Sequence, residues 1–267
     1  MMILKYTITM RTNLIKKKET PKVEAPKVDE KSVDGMLDMV IAFDTTGSMS
    51  YYIKAVKRHV MELIPKLFAA NPKLKISIVA FGDYFDMESK NDFSKAYQVI
   101  DLTDNENKLI KFVERARNTC GGDGPEFYEL VIKKIVEETS WREGSTKSVL
   151  LIADSLPHEL GYSYGDIIRN NQIDWRKEAG KAAAKGIKID TMQCSDYSWY
   201  KELSKITNGI NLPFKTDSKT SQVIEAASYA RGGESTRELF KTTMDSALAS
   251  GDTEISAVYT AYSKELV

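Results

Sequence analysis

The chain is poor in cysteine, histidine and tryptophan, carries no excess of either charge and contains no long apolar run. Each shortage excludes something. Cys120 and Cys194 are the two cysteines in 267 residues, too few for a disulfide framework, so both are expected as free thiols in a reducing compartment. Lys plus Arg and Asp plus Glu number 38 each, and the resulting zero net charge argues against a general electrostatic grip on nucleic acid. No stretch approaches the roughly 18 apolar residues that a membrane-spanning helix needs. The opening residues are too short and too polar a run for a secretory signal, which points to the cytoplasm. What the chain does have is 42% hydrophobic residues, enough for a sizeable core in one large domain or two small ones.

Residues 1–35 read as a disordered, mixed-charge arm, rich in Lys, Glu and Pro from residue 15 onward. From Met36 strands and helices alternate, the pattern of a doubly wound α/β layer with a mostly parallel open sheet. Strands are expected near 37–43, 74–81, 96–102, 148–153, 187–192 and 209–213, and the 96–102 strand is expected to pair with 74–81. A first helix near 50–69 places Ile53, Val56, Val60, Leu63, Ile64 and Leu67 on one face, and Pro65 is expected to kink it or end it early. Further helices are expected near 104–118, capped by Asp104 or Thr103; near 125–140, with Pro125 in the first turn; and near 175–185, 196–207 and 218–230. Arg231-Gly232-Gly233 breaks the pattern, and residues 232–267 read as a helical C-terminal extension of two amphipathic helices parted at 250–252.

The segment Met39-Val40-Ile41-Ala42-Phe43-Asp44-Thr45-Thr46-Gly47-Ser48 ends a buried strand in one acid and two hydroxyls at alternate positions, with a helix immediately after. In an open parallel sheet, ligands bind outside the carboxyl ends of the strands. Asp154, at the end of the apolar strand Leu150-Leu151-Ile152-Ala153, and the loop Gly121-Gly122-Asp123-Gly124-Pro125-Glu126 fall on the same edge. A carboxylate with two neutral hydroxyls suits Mg²⁺, which takes near-octahedral oxygen ligands and keeps some waters. Neutral ligands also leave positive charge on the ion, available to an incoming carboxylate.

Asp44-x-Thr46-Gly47-Ser48 resembles the metal-ion-dependent adhesion site of von Willebrand factor type A (vWA) domains, and the resemblance runs over about 36–230. It implies that Asp44, Thr46 and Ser48 are first-loop ligands of Mg²⁺ or Mn²⁺ and that Asp154 is the third-loop acid. It also implies a non-enzymatic module that docks an acidic side chain of a partner protein through the metal. For the second loop, Asp123-Gly124-Pro125-Glu126 is similar to the integrin β-subunit version, which implies Glu126 as the ligand, with Thr119 as the alternative. That version also implies a neighbouring second cation, with Ca²⁺ the candidate, held by Asp123 and Asp83 with Glu126 shared. Gly121 stands where it has an asparagine, and Tyr51-Tyr52 stand where it has two acids, so no third cation is expected. Three carboxylates would neutralise Mg²⁺, so one or two of Asp44, Asp154 and Glu126 are expected to act through water. The loops Ala-Phe-x-Asp-Tyr, Gly-Gly-Asp-x-Pro-Glu and Ala-Asp-x-x-Pro-His also resemble the vWA part of atypical alpha-kinases. The residues after 231 are too few for the kinase domain, so kinase activity is not expected here.

Other readings fare worse. The Asp-Thr-Thr-Gly-Ser run differs from the aspartic-protease Asp-Thr-Gly-Ser by an inserted Thr, and no second copy supplies the paired acid. A sugar-kinase phosphate loop needs a longer, two-lobed chain. An aspartyl phosphatase needs an acid where Thr46 stands. A metal-dependent hydrolase acting on phosphate is the alternative function, with His158 as its one candidate base. His59 reads as structural, and Cys120 as a packed thiol beside the second loop. Tyr51, Tyr162 and Tyr164 read equally as an aromatic rim around the metal or as loop anchors.

Overall fold

The computed structural model describes residues 34–89, 92–163, 172–213 and 219–266. The expected N-terminal arm lies almost wholly outside them, as does Tyr164. Six strands form one sheet: β1 (Leu37–Asp44), β2 (Lys75–Phe81), β3 (Tyr97–Thr103), β5 (Thr146–Ala153), β7 (Ile187–Gln193) and β8 (Asn211–Pro213). Their order is β3-β2-β1-β5-β7-β8. All neighbours pair in parallel except β2 and β3. The chain builds outward from β1 on one side and then returns to build on the other. The point of reversal therefore lies at the carboxyl ends of β1 and β5, where doubly wound sheets bind ligands.

Every residue of β1 is buried, as expected of a central strand covered on both faces. Its odd and even residues feed two different cores, because successive side chains of a strand point to opposite faces. Leu37, Met39, Ile41 and Phe43 pack with α1 (Ser50–Ala70) and α6 (Thr220–Arg231). Val40 and Ala42 pack with α3 (Tyr128–Glu138), α4 (Trp175–Ala184) and α5 (Ser198–Ile206). On α1 all six expected core residues are buried. The helix does not end at Pro65; it runs through it to Ala70. Pro65 is exposed, so its ring points to solvent and the packing of Leu63, Ile64 and Leu67 carries the helix past it.

Two expected helix starts are corrected. α2 (Glu106–Arg115) is capped by Asn105, whose side chain accepts the Lys108 N–H at 3.0 Å, and not by Asp104 or Thr103. Pro125 does not open a helix. Pro125–Glu126 is a two-residue strand, β4, paired in parallel with β6 (Leu156–Pro157), and α3 begins at Tyr128. A proline at the edge of a short pair loses no ladder bond that the sheet needs, and the pair ties the second loop to the third. After α6, α7 (Glu234–Ala249) and α8 (Thr253–Ser263) fold back so that Phe240, Ile255, Val258, Tyr259 and Tyr262 join the α1 side of the core. No helix among the described residues is long and apolar enough to cross a membrane.

Candidate metal centre

Asp44 shares its parity with Val40 and Ala42, so its side chain leaves β1 on the face that α3 covers. There Tyr128 donates its hydroxyl to Asp44 Oδ2 at 2.6 Å. The other oxygen, Oδ1, accepts both the Thr46 N–H at 2.7 Å and the Thr46 hydroxyl at 2.6 Å. Thr46 Oγ1 lies 3.3 Å from Ser48 Oγ, which donates to Asp154 Oδ1 at 3.1 Å. Hydrogen bonds thus tie Thr46 to Asp44 and Ser48 to Asp154, and the two hydroxyl oxygens, their protons so committed, face each other at 3.3 Å between the carboxylates. Asp44 and Thr46 are buried, whereas Ser48 is exposed, so the group opens to solvent on the Ser48 side.

The second-loop candidates part ways. The Thr119 hydroxyl lies 2.9 Å from the hydroxyl of Thr45, and its N–H bonds the Thr45 carbonyl at 2.9 Å. Thr119 therefore ties the second loop to the first strand end. Glu126 is buried and lies against Thr46, and its Oε2 has no hydrogen-bond partner among the described residues. Gly121 has φ +66°, and a Cβ there would stand 2.8 Å from Glu126 Oε1. Glycine in the place of asparagine follows from this: a side chain at 121 would fill the space that the Glu126 carboxylate takes.

Asp83 and Asp123 come together, but their partner is His158. One ligand atom of each of Asp83, Asp123 and His158 lies within 4.8 Å of the others. His158 Nε2 is 3.9 Å from Asp83 and 3.8 Å from Asp123, and Nδ1 is 3.5 Å from Glu129 Oε1. The ring packs against both Tyr84 and Tyr162, with centroids at 5.4 and 4.8 Å, and the two tyrosines stack on each other at 6.1 Å. Tyr162 is accordingly a loop anchor, and its hydroxyl also accepts the Ile173 N–H at 3.3 Å. Tyr51 is the exposed one. His59 lies on α1 beside Glu62, away from these loops.

Crowded carboxylates without a cation hold protons. Burial, opposed by the hydrogen bonds of Thr46 and Tyr128 and aided by the Asp154 charge, raises Asp44 to about 7. Burial, with the charges of Asp44, Asp83 and Asp86, pushes Glu126 up to about 10. Asp154 is raised as well, chiefly by burial. Burial alone would lower His158, but Glu129, Asp83 and Asp123 together carry it above its ordinary value. A divalent cation is the natural replacement for those protons.

The model of the von Willebrand factor type A domain matches residues 38–237. The chain belongs to the von Willebrand factor type A family. It is also similar to alpha-protein kinase vwkA of Dictyostelium discoideum, with 29% identity over 128 residues, which are 47% of this chain and 19% of that protein. The match thus covers about a fifth of the relative's length. vWA domains are generally protein-interaction modules and commonly bind a divalent metal.

Three supporting residues of this vWA domain escaped the sequence reading. Tyr128 holds Asp44. Glu129, wholly buried, accepts the Tyr84 hydroxyl at 2.8 Å and the His158 N–H at 3.2 Å. Asp86 accepts the N–H groups of Cys120 at 2.8 Å and Gly121 at 3.0 Å, fixing the second loop from the β2 side. Tyr128 and Glu129 carried one signal, their place two and three residues after Glu126, and Asp86 another, its place three residues after Asp83.

Proposed function

We propose that this vWA domain is a non-enzymatic interaction module. It binds Mg²⁺, or Mn²⁺ in its place, through Asp44, Thr46 and Ser48, and uses the ion to dock an Asp or Glu side chain of a partner protein. Glu126 and Asp154 complete the surround, with Glu126 preferred to Thr119, whose hydroxyl is engaged by Thr45. The observation that carries the reading is the row Asp44-Thr46-Ser48-Asp154 at the strand reversal, whose two hydroxyl oxygens face each other at 3.3 Å between the carboxylates, with a Glu126 oxygen nearby that no described residue satisfies. Bound there, the metal supplies an electropositive docking point. Asp44 is held by Tyr128, and the hydroxyls keep the ligand set from neutralising the ion.

The surface around the site supports docking. Tyr51, Phe85, Leu156 and Leu160 are exposed, and each lies within a few residues of Ser48, Asp83, Asp154 or His158. Apolar side chains of that size beside a charged centre suit a protein partner, because interfaces combine an apolar patch with a few fixed polar contacts.

Peptides bearing one Asp or Glu, each matched by its Asn or Gln copy, test the reading on metal-stripped protein. Mg²⁺-dependent binding of the acidic copies alone, lost in Asp44→Ala, is expected. Binding that ignores both Mg²⁺ and Asp44 would overturn it. Mg²⁺-dependent turnover of a phosphate ester that vanishes in Asp44→Ala would move the function to a hydrolase.

A further inference from the structure

We infer that Asp83, Asp123 and His158 form a second metal centre that selects a histidine-seeking transition cation, Zn²⁺ first, in place of Mg²⁺ or Ca²⁺. The integrin-like expectation put Glu126 with the two aspartates, an all-oxygen set suited to Ca²⁺. The structure brings an imidazole nitrogen to the same two aspartates. The His158 Nε2 distances of 3.9 and 3.8 Å to the aspartate oxygens approach the spacing of about 3.3 Å between donors on a tetrahedral Zn²⁺. Closing those two gaps takes a contraction of about half an ångström each, and the third pair, Asp83 with Asp123, closes from within 4.8 Å by rotation of the exposed Asp123 side chain.

Two further observations set this group apart from a chance meeting of acids. The first is behind the histidine. Glu129 faces Nδ1 at 3.5 Å and is itself fixed by Tyr84 and the His158 N–H. A buried carboxylate on the far nitrogen sets the tautomer and aims Nε2 forward, which is how proteins orient a metal-binding histidine. The second is Glu126, buried beside Asp83, with an oxygen that no described residue satisfies. Asp83 and His158 are buried while the Asp123 side chain is 43% exposed, so the cluster has a closed back and an open front. Two carboxylates and a neutral imidazole balance a divalent ion, and the open side leaves a fourth position for water or a partner's carboxylate. An imidazole nitrogen suits Zn²⁺, Cu²⁺, Fe²⁺ and Ni²⁺, with raw affinity highest for Cu²⁺ and the near-tetrahedral spacing favouring Zn²⁺, whereas Mg²⁺ gains little from it. The three ligands of this centre include none of Asp44, Thr46 or Ser48, so it can be tested separately from the Mg²⁺ reading, with Glu126 the one residue common to both arguments.

Cobalt(II), a coloured stand-in for Zn²⁺, reads the site directly. Tag-free, metal-stripped protein is titrated with Co²⁺ under visible absorption, then with competing Zn²⁺, in the wild type and in Asp44→Ala, His158→Gln, Glu129→Gln and His59→Gln. The expected result is a strong d–d band displaced by Zn²⁺ and untouched by excess Mg²⁺. It persists in Asp44→Ala and His59→Gln, loses at least about a hundredfold in affinity in His158→Gln and weakens about 10- to 100-fold in Glu129→Gln. Mg²⁺ binding at the Asp44 site shows that His158→Gln remains folded. X-ray absorption of the Zn²⁺-loaded wild type is expected to show imidazole scattering and depends on no variant. A cobalt band that disappears in Asp44→Ala, affinity unchanged in His158→Gln, or an oxygen-only zinc shell would overturn the inference.

Discussion

At the scale of single residues, Asp44 sets the chemistry of the first loop. It is wholly buried and accepts three hydrogen bonds. Tyr128→Phe removes the one that comes from α3, and the expected result is Mg²⁺ affinity lower by about tenfold, read by calorimetry, with the fold retained. The raised value of Asp44 gives a pH signature. The folded metal-free protein titrates Asp44 near 7 against 3.8 unperturbed, so between those values it holds a proton that the unfolded chain has lost. Its stability therefore falls as pH rises through that window, by up to about 4 kcal/mol. A bound cation takes the proton's place, so with saturating Mg²⁺ the fall should disappear. Urea denaturation at about pH 5 and about pH 7.5, with chelator or with Mg²⁺, checks it; equal curves in chelator would contradict it. The ligand candidates were legible because they are acids and hydroxyls at strand ends. Tyr128, Glu129 and Asp86 were not, because a tyrosine or an acid within an apolar run reads as core or surface until the fold shows what it faces.

At the scale of elements, the strand and helix order was legible because apolar period and length separate β1, β2, β5 and β7 from the helices. What misled was local chemistry overruled by tertiary packing. Pro65 read as a kink or an early end, yet α1 continues for five residues because its buried face is already held by the sheet. The missing N–H leaves the Met61 carbonyl without its helical donor, so Pro65→Ala, at an exposed position, should stabilise the protein by about 1 to 3 kcal/mol. A midpoint that rises in thermal and urea unfolding checks it, and a lower one would mean that the ring makes contacts of its own. Pro125 read as a helix start for the converse reason. A proline is equally at home at a strand edge, and only the partner strand β6, remote in sequence, decides between the two.

At the scale of the whole molecule, the family match stops at residue 237, inside α7, yet the core does not stop there. α8 returns to the sheet and closes a buried ionic group. Arg231 reaches Asp190 of β7 at 2.8 Å and Glu265 at 3.0 Å, and the Tyr262 hydroxyl donates to Asp190 at 2.7 Å. Burial alone would raise Glu265, but the hydrogen bond and charge of Arg231, with Lys188 beyond them, hold it below the usual carboxylate range. By the same linkage, its contribution is complete above an ordinary Glu value near 4.5 and is lost as pH falls through the lower folded value. Acid should therefore loosen α8. Residues 232–266 are therefore expected to unfold together with the sheet as one unit. Arg231→Ala leaves Asp190 buried without its cation, a change that costs about 3 to 5 kcal/mol where pairs of this kind are broken. Removal of the chain from residue 252 onward uncovers Ile255's partners and the Tyr259 and Tyr262 sites as well, and should destabilise at least as much. Both variants are expected to unfold in one transition at a lower denaturant midpoint, with Mg²⁺ binding preserved where the fold persists, since no candidate ligand lies beyond Asp154 or His158. An early separate transition, or a midpoint unchanged by the truncation, would instead make α8 an independent arm, free to serve a partner of its own.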